Sequence, residues 1–67
     1  MPKKINLKLI KETRIKLGFT YNDMAKALML KEPEKYYRRE NGTYNFQATE
    51  IPLLAHKLKI PMAKIFK

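Results

Sequence analysis

The sequence predicts an all-α domain built of five short helices, and three observations support this fold class. Apolar residues recur at helical spacing, most clearly over residues 51–58, and no segment is a candidate strand. Gly18 and Gly42 each follow a periodic segment, where glycine typically ends a helix. The chain has 67 residues without a repeat or low-complexity segment, so we expect one domain over residues 1–67.

Composition limits the possible functions. Fifteen Lys and Arg against six Asp and Glu give a formal net charge of +9, which favours a polyanion such as DNA, RNA or an anionic membrane surface. With no Cys, one His and no nucleophile–base pair, we expect no metal, no cofactor, no small-molecule ligand and no enzymatic activity. The apolar stretches are far shorter than the roughly 20 residues of a spanning helix, and we expect a cytoplasmic protein.

The first helix is predicted over residues 6–17. Leu7, Ile10, Arg14 and Leu17 fall at helical spacing and are expected to share its inward face. Charged residues occupy the other faces of this helix.

The second and third helices are predicted as a closely spaced pair. Thr20 is a suitable N-cap for a helix over residues 20–28, and Asp23 approximates the acidic member of a capping box. Pro33 suits the first position of a helix over residues 33–41. A tight turn joins the two, and this spacing predicts a helix-turn-helix over about residues 20–41.

The last two helices are predicted over about residues 48–58 and 62–66. Pro52 is tolerated only in a first turn, so the regular part of the fourth helix is expected to start near Thr49. Ile60 and Pro61 interrupt the helical pattern before the final turn.

The third helix carries the residue types of a DNA recognition helix. Tyr36 and Glu40 share one face and are expected to anchor it, whereas Arg38 can donate two hydrogen bonds to guanine O6 and N7. Glu34 can accept from cytosine N4 and otherwise repels phosphate, which indicates selectivity rather than general affinity for DNA. The alternative is a solvated charged face without a partner.

Several short segments match a known family in order and spacing, across about residues 6–66. They are Arg14-Ile15-Lys16-Leu17-Gly18-Phe19-Thr20, Asp23-Met24-Ala25, Leu28, Tyr36, Glu40-Asn41-Gly42, Leu54-Ala55, Leu58, Ile60 and Ile65-Phe66. This pattern resembles the helix-turn-helix of the phage repressor/Cro family, also called the Xre family. The resemblance implies a compact five-helix, lambda-repressor-like fold.

The resemblance also implies roles for individual residues. It implies a partly buried ion pair between Arg14 and Glu40. The implied base contacts are Pro33, Glu34 and Arg38, with Lys35 and Tyr37 beside them. The implied DNA-backbone contacts are Thr20, Tyr21, Asn41, Thr43 and Tyr44.

The sequence departs from the family pattern in two places. Tyr21 stands where the family usually has Gln, and Met29 stands where it usually has the Gly of the turn. The turn is also one residue longer than the commonest form. It resembles a subgroup with a Lys-Ser-Pro-type turn, matched here by Lys31-Glu32-Pro33.

The resemblance implies a Cro-like phage or prophage repressor that binds a pseudo-palindromic operator as a homodimer. The dimer contact is expected in the tail 60–67, through Met62, Ile65 and Phe66. Lys3 and Lys4 are either a minor-groove arm or unbound charge. The alternative function is an antitoxin-like protein-interaction module with autoregulatory DNA binding.

Overall fold

The computed structural model describes residues 4–67, which form five helices and no strand, so the all-α fold class is confirmed. The N-terminal Lys3 lies outside the described residues. Each boundary agrees with the sequence-based expectation to within two residues. In chain order the helices are α1 (Leu7–Leu17), α2 (Tyr21–Ala27), α3 (Pro33–Glu40), α4 (Glu50–Leu58) and α5 (Met62–Ile65).

Local sequence signals explain where the first three helices begin. Asn6 caps α1 by accepting a hydrogen bond from the Leu9 amide. Thr20 and Asp23 form a complete capping box at α2: each side chain accepts from the other residue's amide, at 3.1 and 2.9 Å. Pro33 occupies the first turn of α3, where its missing N–H leaves no hydrogen bond unmade.

The connection between α2 and α3 contains a residue with left-handed backbone. Met29 has a φ of 61°, a conformation that costs a residue with a β-carbon about 1–2 kcal/mol. The residue is 83% exposed, so packing does not compensate for this cost. The next amide, that of Leu30, donates to the Ala25 carbonyl at 2.8 Å and closes the turn.

All five helices contribute to one hydrophobic core. Pro52 lies in the first turn of α4, where the sequence predicted that it would be tolerated. Tyr36 of α3 is among the largest fully buried side chains, together with one or more residues from every other helix. The buried apolar residues are Ile10, Met24, Ala25, Leu28, Tyr36, Ile51, Leu54, Ala55, Leu58 and Ile65.

Two expectations about burial were wrong. Leu17 was assigned to the inward face of α1, but it is 40% exposed because α1 ends there and Gly18 turns the chain away. Ile65 was expected at a dimer contact, but it is fully buried. The short α5 packs Ile65 into the core and leaves Met62, at 45% exposure, on the surface.

The two ends of the described chain are tied together. Ile5 and Phe66 form an isolated antiparallel bridge, flanked by hydrogen bonds from Asn6 N to Ile65 O (2.6 Å) and from Lys67 N to Lys4 O (2.9 Å). These bonds fix α5 against the start of α1. Within residues 4–67, no helix has the length and apolarity needed to cross a membrane.

Candidate nucleic-acid interface

The orientation of α3 is set by two buried residues four positions apart. Tyr36 is fully buried and Glu40 is 6% exposed, so both point into the domain. Arg38 is two residues from each, which places it about 200° around the helix from both. The two anchors therefore direct Arg38 away from the core.

Arg14 and Glu40 are brought together as a buried ion pair. Arg14 Nε donates to Glu40 Oε2 at 2.8 Å and its Nη2 donates to Oε1 at 3.2 Å, while Nη1 donates to the Phe19 carbonyl. Burial opposes the charged form of Arg14, but the bonds to Glu40 outweigh it, so the pKa of Arg14 is raised. The pair fixes the C-terminal end of α3 to α1.

A second ion pair fixes α3 from its other side, and the sequence did not indicate it. Arg39 Nε donates to Glu50 Oε1 of α4 at 2.9 Å, and the two side chains are only 13% and 9% exposed. Glu50 Oε1 also accepts from the Gln47 amide. The alternative of a solvated charged face on the third helix is therefore wrong for Arg39, because Glu50 holds its side chain.

Arg38 is engaged on the exposed side of α3. It forms an ion pair with Glu34 one turn earlier, and its guanidinium carbon lies 5.8 Å from the centroid of the Tyr44 ring. The charge of Glu34 and the hydrogen bond to it raise the pKa of Arg38. The structure thus joins three of the predicted DNA contacts, two from α3 and one from the loop that follows it.

Tyr21 and Tyr37 join α2 to α3 at the edge of this surface. Their rings meet edge to face with centroids 5.2 Å apart, and the Arg14 guanidinium lies 4.4 Å from the Tyr21 centroid. Tyr21 is half-buried by these contacts. Its ring therefore takes part in packing between α1, α2 and α3.

A small concavity of about 120 Å³ adjoins the two tyrosines. It is lined by Lys11, Tyr21, Tyr37, Glu40 and Asn41. The Glu40 carboxylate is paired with Arg14, and the other four side chains carry hydrogen-bond donors. These are donors that suit a phosphate oxygen. Lys11 was missed at the sequence level, although it precedes Arg14 by three residues and so had to lie near it on α1.

The loop after α3 is ordered by its own side chains. Asn41 Oδ1 accepts from the Thr43 amide at 2.9 Å and from the Thr43 hydroxyl at 2.7 Å. This turn leaves the Asn41 amide nitrogen as the group able to donate outward. Tyr44, which follows, donates its backbone amide to the Arg38 carbonyl and is 52% exposed.

The predicted contacts are exposed to different degrees. Tyr21 and Arg38 are half-buried, and the other predicted DNA contacts are exposed. Those exposed residues are Thr20, Pro33, Glu34, Lys35, Tyr37, Asn41, Thr43 and Tyr44.

The chain matches no protein-family model, no curated protein and no solved structure. Its resemblance to the phage repressor/Cro family rests on its own residues alone.

Proposed function

We propose that the protein binds double-stranded DNA in a sequence-specific manner, with α3 in the major groove, and acts as a Cro-like transcriptional repressor. One observation carries this proposal: Tyr36 and Glu40 anchor α3 so that Arg38 points outward on an exposed helix face. A major groove about 12 Å wide admits one such helix, and Arg is the commonest side chain that recognises guanine there.

The surroundings of α3 support a duplex as the partner. Lys11 lies beside α3, and Asn41 and Thr43 follow it, so phosphate contacts would flank the base contacts of Arg38. A buried ion pair, Arg14–Glu40, and a largely buried one, Arg39–Glu50, hold the helix against α1 and α4. A rigid helix suits groove recognition because its side chains are positioned before binding.

We further propose that two copies bind one pseudo-palindromic site. The described residues extend 32 Å along their longest axis, and half-sites one helical turn apart are separated by about 34–36 Å. Two domains of this size can therefore lie side by side on such a site. Because Ile65 is buried, Met62 and Phe66 are the expected dimer residues that can still contact a second copy. Both border an open groove of about 760 Å³ that Ile5 and Phe46 also line.

Selection of bound duplexes from a random DNA library tests the proposal. We expect a consensus containing a guanine contacted by Arg38, repeated with two-fold symmetry about one helical turn away. Binding of the selected duplex should weaken steeply with salt, because phosphate contacts release counterions. An unenriched library together with a flat salt titration would exclude DNA as the main partner.

Sedimentation of the free protein and of its DNA complex tests the two-copy proposal separately. We expect two copies on each selected duplex. A single copy per duplex, with a consensus that lacks symmetry, would contradict the dimer and leave the proposal for DNA binding intact.

A further inference from the structure

The guanidinium of Arg38 is held on two sides by its own chain. It pairs with the Glu34 carboxylate on the same helix and lies 5.8 Å from the Tyr44 ring centroid. The side chains of Arg38 and Glu34 remain 43% and 60% exposed, so a ligand can reach both. A DNA duplex that contacts this face meets the two charges together.

We propose that Glu34 is a specificity-determining positioning residue, which restrains Arg38 from binding phosphates and directs it to a G·C base pair. This inference rests on the proposed DNA-binding function and assigns Glu34 a role that depends on Arg38.

The pairing with Glu34 weakens the attraction of Arg38 for phosphates. Non-specific binding depends almost entirely on Lys and Arg neutralising the DNA backbone. Arg38 paired with Glu34 approaches a phosphate as a unit of zero net charge, and the carboxylate itself is repelled. Non-specific DNA complexes are therefore weaker with Glu34 than they would be with an uncharged residue at the same position.

The same pairing leaves Arg38 and Glu34 able to contact base edges. Arginine has five N–H donors, so Arg38 keeps donors for guanine O6 and N7 while it is bonded to Glu34. The free lone pairs of Glu34 can accept from the N4 amino group of cytosine. The intact pair thus complements the acceptors of guanine and the donor of cytosine together.

The chain offers a matched control for the charge of Glu34. Glu32 is the exposed N-cap of the same helix, makes no side-chain capping bond, and forms no ion pair within the described part of the chain. Glu32→Gln and Glu34→Gln change the net charge by the same amount, at positions only two residues apart. A difference between them therefore reports the pairing with Arg38 rather than total charge.

The experiment measures affinity of the full chain for two duplexes over a range of salt concentrations. One duplex is that selected from the random library and the other is its scrambled sequence. Relative to Glu32→Gln, we expect Glu34→Gln to bind the scrambled duplex about 3- to 10-fold more tightly, with a salt slope steeper by about one. We expect its ratio of selected to scrambled affinity to fall about 10-fold, within the range of one base contact.

A double-mutant cycle tests whether Glu34 acts through Arg38. In an Arg38→Gln background, Glu34→Gln should lower the affinity ratio by clearly less than it does in the wild-type background, because the part of its effect that depends on Arg38 is already lost.

A nuclear magnetic resonance titration of the wild-type chain tests the same point without a variant. The Arg38 Nε–H resonance should move strongly on adding the selected duplex and little on adding the scrambled one.

The possible outcomes separate this inference from the proposed function. Equal salt slopes and affinity ratios for Glu32→Gln and Glu34→Gln would overturn the inference while wild-type discrimination stood. Equal movement of the Arg38 resonance with both duplexes would overturn it too. A wild-type chain that binds neither duplex would remove the proposed function and this inference together.

Discussion

The guanidinium of Arg14 and the carboxylate of Glu40 form a bidentate pair, with hydrogen bonds of 2.8 and 3.2 Å between α1 and the last residue of α3. A third bond from Arg14 reaches the Phe19 carbonyl between α1 and α2. One buried side chain therefore connects the first three helices. The orientation of α3 depends on it.

We expect Glu40→Ala to lower the free energy of unfolding by about 3–5 kcal/mol, because Arg14 would keep its charge in a buried place without a partner. Urea denaturation measures this change. Glu12→Ala, an exposed carboxylate on α1, serves as the control and should change stability by less than about 0.5 kcal/mol. The double variant Arg14→Met with Glu40→Leu should cost less than either single change. A Glu40→Ala variant as stable as the control would contradict a structural role for the pair.

The hydroxyl of Tyr36 is buried and makes no hydrogen bond within residues 4–67. We expect Tyr36→Phe to leave stability unchanged or to raise it by up to about 1 kcal/mol, since it removes a polar group whose loss of hydration is not compensated. Tyr36→Ala should instead cost about 3–5 kcal/mol through the cavity it leaves. Thermal denaturation distinguishes the two. A large loss of stability in Tyr36→Phe would show that the hydroxyl has a partner.

The same burial raises the pKa of Tyr36, and the charge of Glu40 adds to the effect. In an alkaline spectrophotometric titration, Tyr36 should therefore ionise only when the protein unfolds. The comparison of wild type with Tyr36→Phe identifies its contribution. Early ionisation of Tyr36 in the folded protein would contradict its burial.

Local signals and periodicity predicted most of the fold from the sequence. The capping box of Thr20 and Asp23 and the position of Pro33 depend on neighbours three or four residues away, so the sequence contains the whole interaction. The Arg39–Glu50 pair joins residues eleven positions apart on different helices, and it depends on how α3 packs against α4. The burial of Ile65 likewise depends on the bridge between Ile5 and Phe66. The spacing of residues along the chain does not predict such contacts, because they depend on how the helices pack against one another.

The left-handed backbone of Met29 predicts a stabilising substitution. We expect Met29→Gly to raise the free energy of unfolding by about 0.5–1 kcal/mol, because glycine relieves strain of about 1–2 kcal/mol and loses part of that through its more flexible unfolded state. The exposed methionine side chain gives up little packing. Met29→Ala keeps the β-carbon and should gain nothing. Equal stabilisation by Ala and Gly would show that the φ angle of 61° is not the cause.

The capping box predicts a weakening of α2 in acid. The hydrogen bond that the Thr20 amide donates to the Asp23 carboxylate, with the Thr20 side chain beside it, lowers the pKa of Asp23 below its usual value of 3.8. Because the folded pKa is lowered, the stabilising contribution is present above about pH 3.8 and is lost as the pH falls through the folded value.

Melting temperatures of wild type and Asp23→Asn over pH 2–6 measure this contribution. The difference between them should be constant at the upper end of the range and shrink below about pH 4. Thr20→Ala should lose about 1 kcal/mol, the typical value of an N-cap. A gap between wild type and Asp23→Asn that does not change with pH would exclude the Asp23 carboxylate as its source.

Arg38 and Lys11 lie in different surroundings on the proposed DNA-binding surface, so their substitution by alanine should affect DNA binding in different ways. Arg38 points away from the core on the exposed side of α3, whereas Lys11 lies with Tyr21, Tyr37 and Asn41 in the small concavity beside it. We expect Arg38→Ala to weaken binding of the selected duplex by about 1–3 kcal/mol and to relax preference at one base pair. Lys11→Ala should weaken binding of all duplexes about equally and reduce the salt slope by about one.

Lys16→Ala is the matched control, since Lys16 is exposed on α1 and lies about 200° around that helix from Arg14. It removes the same charge as Lys11→Ala but should leave the salt slope nearly unchanged, because its side chain points away from α3. Titrations of the three variants against selected and scrambled duplexes measure these differences. If Arg38→Ala weakens both duplexes equally, Arg38 contacts phosphate rather than a base. If Lys11→Ala and Lys16→Ala give the same slope, the concavity between α1 and α3 holds no phosphate.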